Sequence, residues 1–259
     1  MIKPIYPQQP ALLKKKKTKK RTKKQKNNCF PSLVGKNLQQ VKAQIQKAAI
    51  KSRRSPNKIT IVAVTKSFPL GIWDSALKHH LTIIGESRIQ EAEQKSNKFD
   101  NKKKIELHLI GHLQTNKARK AVQLFDVIET VDSLRLAKRI NTISNQEEKI
   151  QKIFLQVNTG RDPDKHGFSP KETMTAAKEI ADMKNILLIC IMTIPPNNIS
   201  HKKLENIYSE TRKIRDTVYR TIEKQCNHLS MGMSNDYQIA IAEGATHIRL
   251  GTALFGKRK

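Results

Sequence analysis

Residues 229–251 read LSMGMSNDYQIAIAEGATHIRLG and hold two short apolar runs separated by a longer, mixed stretch. The runs at 229–232 and 248–251 have the length and composition of buried strands, and residues 234–245 are predicted to form a helix. A strand, a helix and a second strand in this order form a βαβ unit, which makes the two strands parallel in one sheet. This segment therefore predicts an α/β fold.

The same alternation of apolar runs and helical stretches extends back through the chain. Six further runs lie at 59–65, 81–85, 105–111, 127–131, 153–158 and 186–192. Eight strands in a chain of 259 residues predict a (β/α)8 TIM barrel. A doubly wound open sheet, which commonly has about five or six strands, is the alternative.

The barrel is predicted to occupy residues 33–259 as a single domain. With 37% hydrophobic residues the chain can bury a full core, which excludes a fully disordered protein. Ahead of the first strand, apolar residues recur at helical spacing and predict a helix from about Leu33 to a turn at 52–57. The face of this helix is formed by Leu38, Val41, Ile45, Ala48 and Ala49.

The charge of the chain is concentrated at its start. The formal net charge is +28, and residues 1–26 contain eleven basic residues and no acidic one. Residues 1–32 are therefore predicted to be a disordered basic tail. The tail is either a nucleic-acid or nuclear-address segment or a solvated extension without a specific partner. Because only 5% of the chain is aromatic, few side chains are available for stacking on bases, and nucleic-acid binding beyond the tail is not expected.

The cysteine pattern and the lack of long apolar runs indicate the compartment. Cys29, Cys190 and Cys226 are widely spaced and form neither a disulfide framework nor a zinc motif. No apolar run approaches the roughly 18 to 20 residues that a membrane helix requires. These observations predict a cytoplasmic protein with no membrane association and no metal site.

Polar residues that follow the predicted strands are the candidates for chemistry, because barrel sites lie at the carboxyl ends of the strands. Lys66 follows the first run and could form a Schiff base with an aldehyde, although a solvated lysine is the commoner case. Ser234, at the predicted start of a helix, and Gly251 with Thr252 after the last run could bind a phosphate. Simple helix capping is the alternative for Ser234.

Arg249 lies two residues before Gly251 and should point into the barrel on the same face of the strand. Its partner is either a buried carboxylate in a salt bridge or a ligand atom such as a ring nitrogen. Since a guanidinium has only donors, it would keep such a nitrogen unprotonated. An amine for an aldehyde, a phosphate group and a ring-nitrogen partner together point to pyridoxal 5′-phosphate.

Six segments of the chain resemble, in order, the YggS/PROSC family of pyridoxal phosphate homeostasis proteins. The resemblance covers residues 33–256 almost completely, and IGHLQTNK and LSMGMS are its most specific parts. The segments are VAVTK (62–66), IGESRIQEAEQK (84–95), LHLIGHLQTNK (107–117), LQVNTGRDPDKHGF (155–168), MTIPP (192–196) and LSMGMSNDYQIAIAEGATHIRLGTALFG (229–256).

The resemblance implies a fold-type III barrel, similar to the N-terminal domain of alanine racemase, with the cofactor bound as an aldimine on Lys66. It further implies Arg249 at the pyridine nitrogen and a serine, Ser87, where the family usually has an asparagine. The basic tail has no counterpart in the family. The cofactor-binding residues expected from the strand ends and the resemblance are Lys66, Ser87, His166, Met192, Met233, Ser234, Arg249, Gly251 and Thr252.

The expected function is that of a non-catalytic carrier that sequesters pyridoxal phosphate and supplies it to unidentified apo-enzymes. The chain ends just after the eighth run, so the second domain that gives racemases of this fold an opposing base is not expected. An unprotonated pyridine also stabilises a carbanion poorly. A pyridoxal-phosphate-dependent amino-acid racemase and a nucleic-acid-binding protein are the alternatives, and a monomer is expected.

Overall fold

A computed structural model describes residues 29–257 of the chain and forms a closed barrel of parallel strands. The strands follow one another around the barrel in sequence order, and the last pairs with the first. The predicted (β/α)8 barrel is thus confirmed, and the open sheet is excluded. The strands are β1 (Thr60–Val64), β2 (Ile83–Glu86), β3 (Glu106–Leu109), β4 (Val127–Val131), β5 (Gln151–Gln156), β6 (Ile186–Met192), β7 (His228–Met233) and β8 (His247–Leu250).

Helices follow the strands and cover the outside of the barrel. Each of the eight predicted apolar runs overlaps one strand, because strands covered by helices outside and by side chains inside read as nearly continuous apolar sequence. The helices are α1 (Cys29–Lys51), α2 (Gly71–Lys78), α3 (Ile89–Ser96), α4 (Ala118–Leu124), α5 (Leu134–Gln146), α6 (Pro170–Ala181), α7 (His201–Thr221), α8 (Tyr237–Ala242) and α9 (Thr252–Phe255).

Helix α1 precedes the barrel and packs against α2, α8 and α9. Its predicted apolar face is confirmed: Leu38, Val41, Ile45 and Ala49 are buried, and Ala48 packs against the same core. The helix begins at Cys29, four residues before the predicted start at Leu33. Residues 1–28 of the predicted basic tail lie outside the described residues, so the domain boundary and the tail stay predictions.

Two apolar clusters form the core of the described residues. The larger one lies between the strands and the surrounding helices, and it includes the fully buried Trp73, Tyr208 and Phe255. The smaller one consists of Val127, Phe154, Cys190 and Met192. These four residues come from the neighbouring strands β4, β5 and β6.

Two findings bear on the compartment. Within residues 29–257, no helix is both long enough and apolar enough to cross a membrane. Cys190 and Cys226 are buried and carry free thiols, and burial raises the pKa of the Cys226 thiol to about 12. The cytoplasmic location itself stays a prediction.

Candidate functional site

A cavity of about 670 Å³ opens at the carboxyl ends of the strands. It extends from the end of β1 across the segment after β6 to the ends of β7 and β8. Six of the predicted site residues line the cavity. They lie in or just after β1, β7 and β8, which are neighbouring strands of the closed barrel. These residues are Lys66, Met233, Ser234, Arg249, Gly251 and Thr252.

The hydroxyl of Ser234 joins the ends of β7 and β8. Its Oγ accepts hydrogen bonds from the backbone N–H groups of Gly251, at 3.4 Å, and Ala253, at 3.2 Å. Two amides from the turn after β8 therefore converge on one oxygen position. Convergent backbone N–H groups of this kind are the donors that hold phosphate oxygens in many proteins.

Helix capping by Ser234, the alternative in the sequence analysis, is wrong. Helix α8 begins at Tyr237, three residues later than predicted, and its N-cap is Asp236. A turn intervenes because the Asp236 carboxylate accepts a 2.6 Å hydrogen bond from the N–H of Met233, and the Asp236 N–H donates back to the Met233 carbonyl. Ser234 is thereby directed at the turn after β8 rather than at α8.

Arg249 points into the barrel, as its position on β8 predicts, and is 5% exposed. Its Nη1 donates to Ser230 Oγ at 2.7 Å and its Nη2 donates to the Thr193 carbonyl at 2.9 Å. Neither partner is a carboxylate, so the direct salt bridge considered in the sequence analysis is not formed. The guanidinium is fixed from the β6 and β7 sides while it lines the cavity.

A buried charged pair lies behind Arg249 and was missed in the sequence. Ser230 Oγ donates to Glu129 Oε2 at 2.9 Å, and His108 Nδ1 donates to Glu129 Oε1 at 2.7 Å. Burial disfavours the charge on His108, but the Glu106 carboxylate, 3.8 Å from Nε2, and the hydrogen bond to Glu129 outweigh burial and raise the pKa of His108 to about 9. Burial likewise opposes the Glu129 charge, yet His108 and Arg249 lower the pKa of Glu129. Glu129 is therefore an anion that anchors Arg249 through Ser230.

Lys66 follows β1 in a loop that is held on both sides. Within residues 29–257 it is the one lysine that lines the cavity. The Thr65 N–H donates to the Gly85 carbonyl at 3.0 Å, and the Ser67 N–H donates to Glu91 Oε1 at 2.6 Å. Ser67 adopts a left-handed backbone conformation with φ of 64°, which turns the chain sharply after Lys66.

A second lysine, Lys95 on α3, holds this loop in place through a hydrogen bond to the backbone. Its Nζ contacts Glu86 Oε1 and Glu91 Oε1, both at 2.7 Å, and donates to the Thr65 carbonyl at 2.9 Å. Burial raises the pKa of Glu86, although the charge of Lys95 and the hydrogen bonds from Lys95 and Thr65 oppose this shift. Trp73 Nε1 donates to Thr65 Oγ1 at 3.0 Å and closes the network. Lys95 is therefore a structural cation and Lys66 is the lysine presented to the cavity.

Three predicted site residues lie away from the cavity lining. Met192 is fully buried in the small apolar cluster inside the barrel. The carbonyl of Ser87 lies so close to Gly111 that a Cβ there would be 2.2 Å from it, so Ser87 packs on the neighbouring loop. His166 stacks on the ring of His112. A role for these three residues in cofactor binding stays a prediction.

The arrangement as a whole suits an anionic ligand with an electrophilic carbon. One amine, one guanidinium and the Ser234 hydroxyl, which two backbone amides hold in place, face one cavity. An amine of this kind can condense with an aldehyde, whereas the amides and hydroxyls favour an anion.

The chain matches the family described as "Alanine racemase, N-terminal domain" over residues 37–259. The pyridoxal phosphate homeostasis protein of Synechocystis sp. is 36% identical over 203 residues, which cover 78% of this chain and 93% of that protein. The chain belongs to the pyridoxal phosphate homeostasis protein family. The resemblance identified in the sequence is thereby confirmed, and the curated relative matches the barrel almost end to end.

Solved structures agree with this membership in the homeostasis protein family. The structure of PipY of Synechococcus elongatus with PLP bound matches this chain with a TM-score of 0.74 and 32% identity. The match covers 82% of this chain and 100% of PipY. An alanine racemase of Clostridium difficile has a TM-score of 0.66 at 16% identity, and the match covers 56% of the racemase chain. The likeness to the racemase concerns the fold alone.

Proposed function

We propose that this chain binds pyridoxal 5′-phosphate at the carboxyl end of its barrel, holds it through Lys66, and supplies it to enzymes that require it. The observation that carries the proposal is the convergence of Lys66, Arg249 and the Ser234 hydroxyl, together with Gly251 and Thr252, on one cavity. Membership in the homeostasis protein family and the PLP-bound PipY relative support the same ligand.

The residues present fit each part of this cofactor. Lys66 supplies the amine for the aldehyde, and the hydroxyls of Ser234 and Thr252 supply donors for the phosphate. The amides of Gly251 and Ala253 donate to Ser234 Oγ, which leaves the proton of that hydroxyl for the phosphate. Arg249 supplies only donors and suits an unprotonated ring nitrogen. No carboxylate is needed beside the ring nitrogen, and the nearest anion to Arg249 in this network, Glu129, is already bound to Ser230 and His108.

Pyridoxal phosphate supplies an aldehyde that condenses reversibly with amines and a ring that can withdraw electrons when its nitrogen is protonated. The protein's residues control both properties. The Lys95 network fixes the Thr65 carbonyl and so sets the start of the loop that carries Lys66. Glu129 holds Arg249 in position through Ser230, and a guanidinium there disfavours protonation of a neighbouring nitrogen.

These features favour a carrier over an enzyme. Arg249 makes the bound ring a weak electron sink, whereas strong carbanion stabilisation requires a protonated nitrogen. The relatives are named homeostasis proteins, and the likeness to alanine racemase is confined to the fold. We therefore assign no catalytic residues and propose a cytoplasmic, monomeric carrier whose partners are apo-enzymes that use the cofactor.

The experiment that tests this function is transfer in the presence of a trap. The protein is loaded with pyridoxal phosphate, desalted and mixed with an apo-aminotransferase and a phosphatase that destroys free cofactor. We expect the aminotransferase to regain activity from the loaded protein but not from an equal amount of free cofactor. The Lys66→Ala variant should behave as free cofactor, and Lys78→Ala, at an exposed lysine on α2, should behave as the unmodified protein. If the aminotransferase regained equally little activity from the loaded protein and from free cofactor, the proposal would be contradicted.

A further inference from the structure

Two histidines and one aspartate meet outside the cavity, at the carboxyl ends of β3, β4 and β5. Asp132 Oδ2 lies 3.1 Å from His112 Nδ1 and 3.8 Å from His166 Nδ1. The three side chains can place one ligand atom each within 4.8 Å of one another. None of the three lines the cofactor cavity, so the cluster is a separate feature of the barrel mouth.

The backbone under this cluster is held firmly. Thr130 Oγ1 donates to the Gly111 carbonyl, directly before His112, at 2.7 Å. Gln156 Nε2 donates to the carbonyl of His166 at 2.8 Å. Because each histidine loop is tied to a neighbouring strand, the cluster is positioned by the barrel rather than by two mobile loops.

The side chains combine a shielded anion with two accessible nitrogen ligands. The Asp132 side chain is only 11% exposed, whereas those of His112 and His166 are 41% and 58% exposed. The two rings are stacked, with centroids 3.8 Å apart and planes at 11°. Both present Nδ1 toward the same carboxylate oxygen, so a rotation of the two exposed rings would direct three ligand atoms at one ion.

We propose that His112, Asp132 and His166 bind a divalent ion of the late first transition row, represented by Zn²⁺. Two imidazole nitrogens and one carboxylate oxygen form a three-ligand set that this class of ion prefers, with the remaining positions open to water or another ligand. An oxygen-seeking ion such as Mg²⁺ is disfavoured by the two nitrogens. Binding requires the exposed rings to rotate out of their stack, and the ion would link the segments after β3, β4 and β5.

The direct test is calorimetric titration of the full chain with ZnCl2 in a phosphate-free buffer. We expect one equivalent to bind, with a dissociation constant on the order of 1 µM, and no competition from excess Mg²⁺. His112→Asn and His166→Asn should each weaken binding by at least about tenfold. His80→Asn is the matched control, because His80 is exposed at the opposite end of the barrel and has a left-handed φ of 59°, which asparagine tolerates.

A second readout separates direct ligation from weak surface association. Co²⁺ in place of Zn²⁺ should give a visible d–d absorption band with the unmodified chain and with His80→Asn, and no such band with either cluster variant. Zn²⁺ should also raise the unfolding temperature only where both histidines are present. Absence of stoichiometric Zn²⁺ binding, or binding that survives both cluster substitutions, would overturn the site. Neither result depends on pyridoxal phosphate, so the cofactor proposal is tested separately.

Discussion

Lys95 Nζ donates a 2.9 Å hydrogen bond to the carbonyl of Thr65, the residue that precedes Lys66. The same ammonium contacts Glu86 and Glu91, and Glu91 in turn accepts a hydrogen bond from the Ser67 N–H, directly after Lys66. The position of the lysine that faces the cavity therefore depends on a second, buried lysine that does not line the cavity.

Replacing Lys95 with methionine should destabilise the protein strongly. The change leaves the buried Glu86 carboxylate without its cation, which costs about 3 to 5 kcal/mol of unfolding free energy. Combining Lys95→Met with Glu86→Gln should recover part of this loss while affinity for pyridoxal phosphate stays reduced, because the Thr65 carbonyl is still released. Urea unfolding and cofactor titration measure the two effects, with the exposed Lys98→Met as control. Full affinity in the double variant would show that Lys95 does not position Lys66.

The cofactor should be attached to Lys66 and to no other lysine. Borohydride reduction of the loaded protein, followed by peptide mapping, should place the pyridoxyl mass on Lys66, the lysine that lines the cavity. Lys95, whose ammonium is engaged by two carboxylates, should remain unlabelled. Recovery of the label on another lysine, with Lys66→Ala keeping the cofactor absorbance, would refute the assignment.

The hydroxyl of Ser234 should contribute to phosphate binding. Loss of one charge-assisted hydrogen bond costs roughly 1.5 to 3 kcal/mol, so Ser234→Ala should weaken pyridoxal phosphate binding by about ten- to a hundredfold. Ser169→Ala is the matched control, because Ser169 caps α6 and does not line the cavity. Equal affinities of the two variants in a fluorescence titration would reduce Ser234 to a structural link between β7 and β8.

The sequence predicts the barrel because its strands are buried on both faces and therefore read as separate apolar runs. It also predicts the residues just beyond the strand ends, such as Lys66 and Thr252, since parallel strands bring these positions to one end of the barrel. The predicted start of α8 is wrong because the Asp236 carboxylate accepts from the Met233 N–H, which forms a turn over residues 233–236, and Asp236, rather than Ser234, is the N-cap. In the sequence the two residues are equally good caps.

The supporting residues are harder to predict. Lys95 lies in an amphipathic helix and reads as an ordinary surface lysine, although it is 6% exposed. His108 and Glu129 interrupt apolar runs, and a polar residue in the middle of a buried strand is a signal of an inward polar contact that could have been used. The pairing of His112 with His166 has no sequence signal, because the two residues follow β3 and β5 and meet only beside Asp132 at the end of the intervening β4.

The His108 and Glu129 pair should make stability fall at alkaline pH. The pKa of His108 is raised from 6.5 to about 9 in the folded protein, so the stability that its charge provides is complete below pH 6.5 and is lost as the pH rises through about 9. The unfolding free energy of the unmodified protein should therefore approach that of His108→Gln across this interval. Urea unfolding of both proteins at a series of pH values measures the difference. A constant difference up to pH 9 and beyond would mean that His108 is neutral in the fold.

The last prediction is that the unmodified protein does not racemise amino acids. Racemisation needs removal of the Cα proton, and the resulting carbanion is stabilised only weakly when the ring nitrogen faces a group that donates a hydrogen bond without giving up its proton. Arg249 is such a group, and its hydrogen bonds to Ser230 and the Thr193 carbonyl hold it in place.

The measurement is solvent deuterium incorporation at Cα of L-alanine together with chiral analysis of the product. An authentic alanine racemase is the positive control, and Lys66→Ala gives the background. We expect incorporation close to the background. Stereoinversion at or above roughly 1 s⁻¹, abolished by Lys66→Ala, would make the chain an enzyme rather than a carrier.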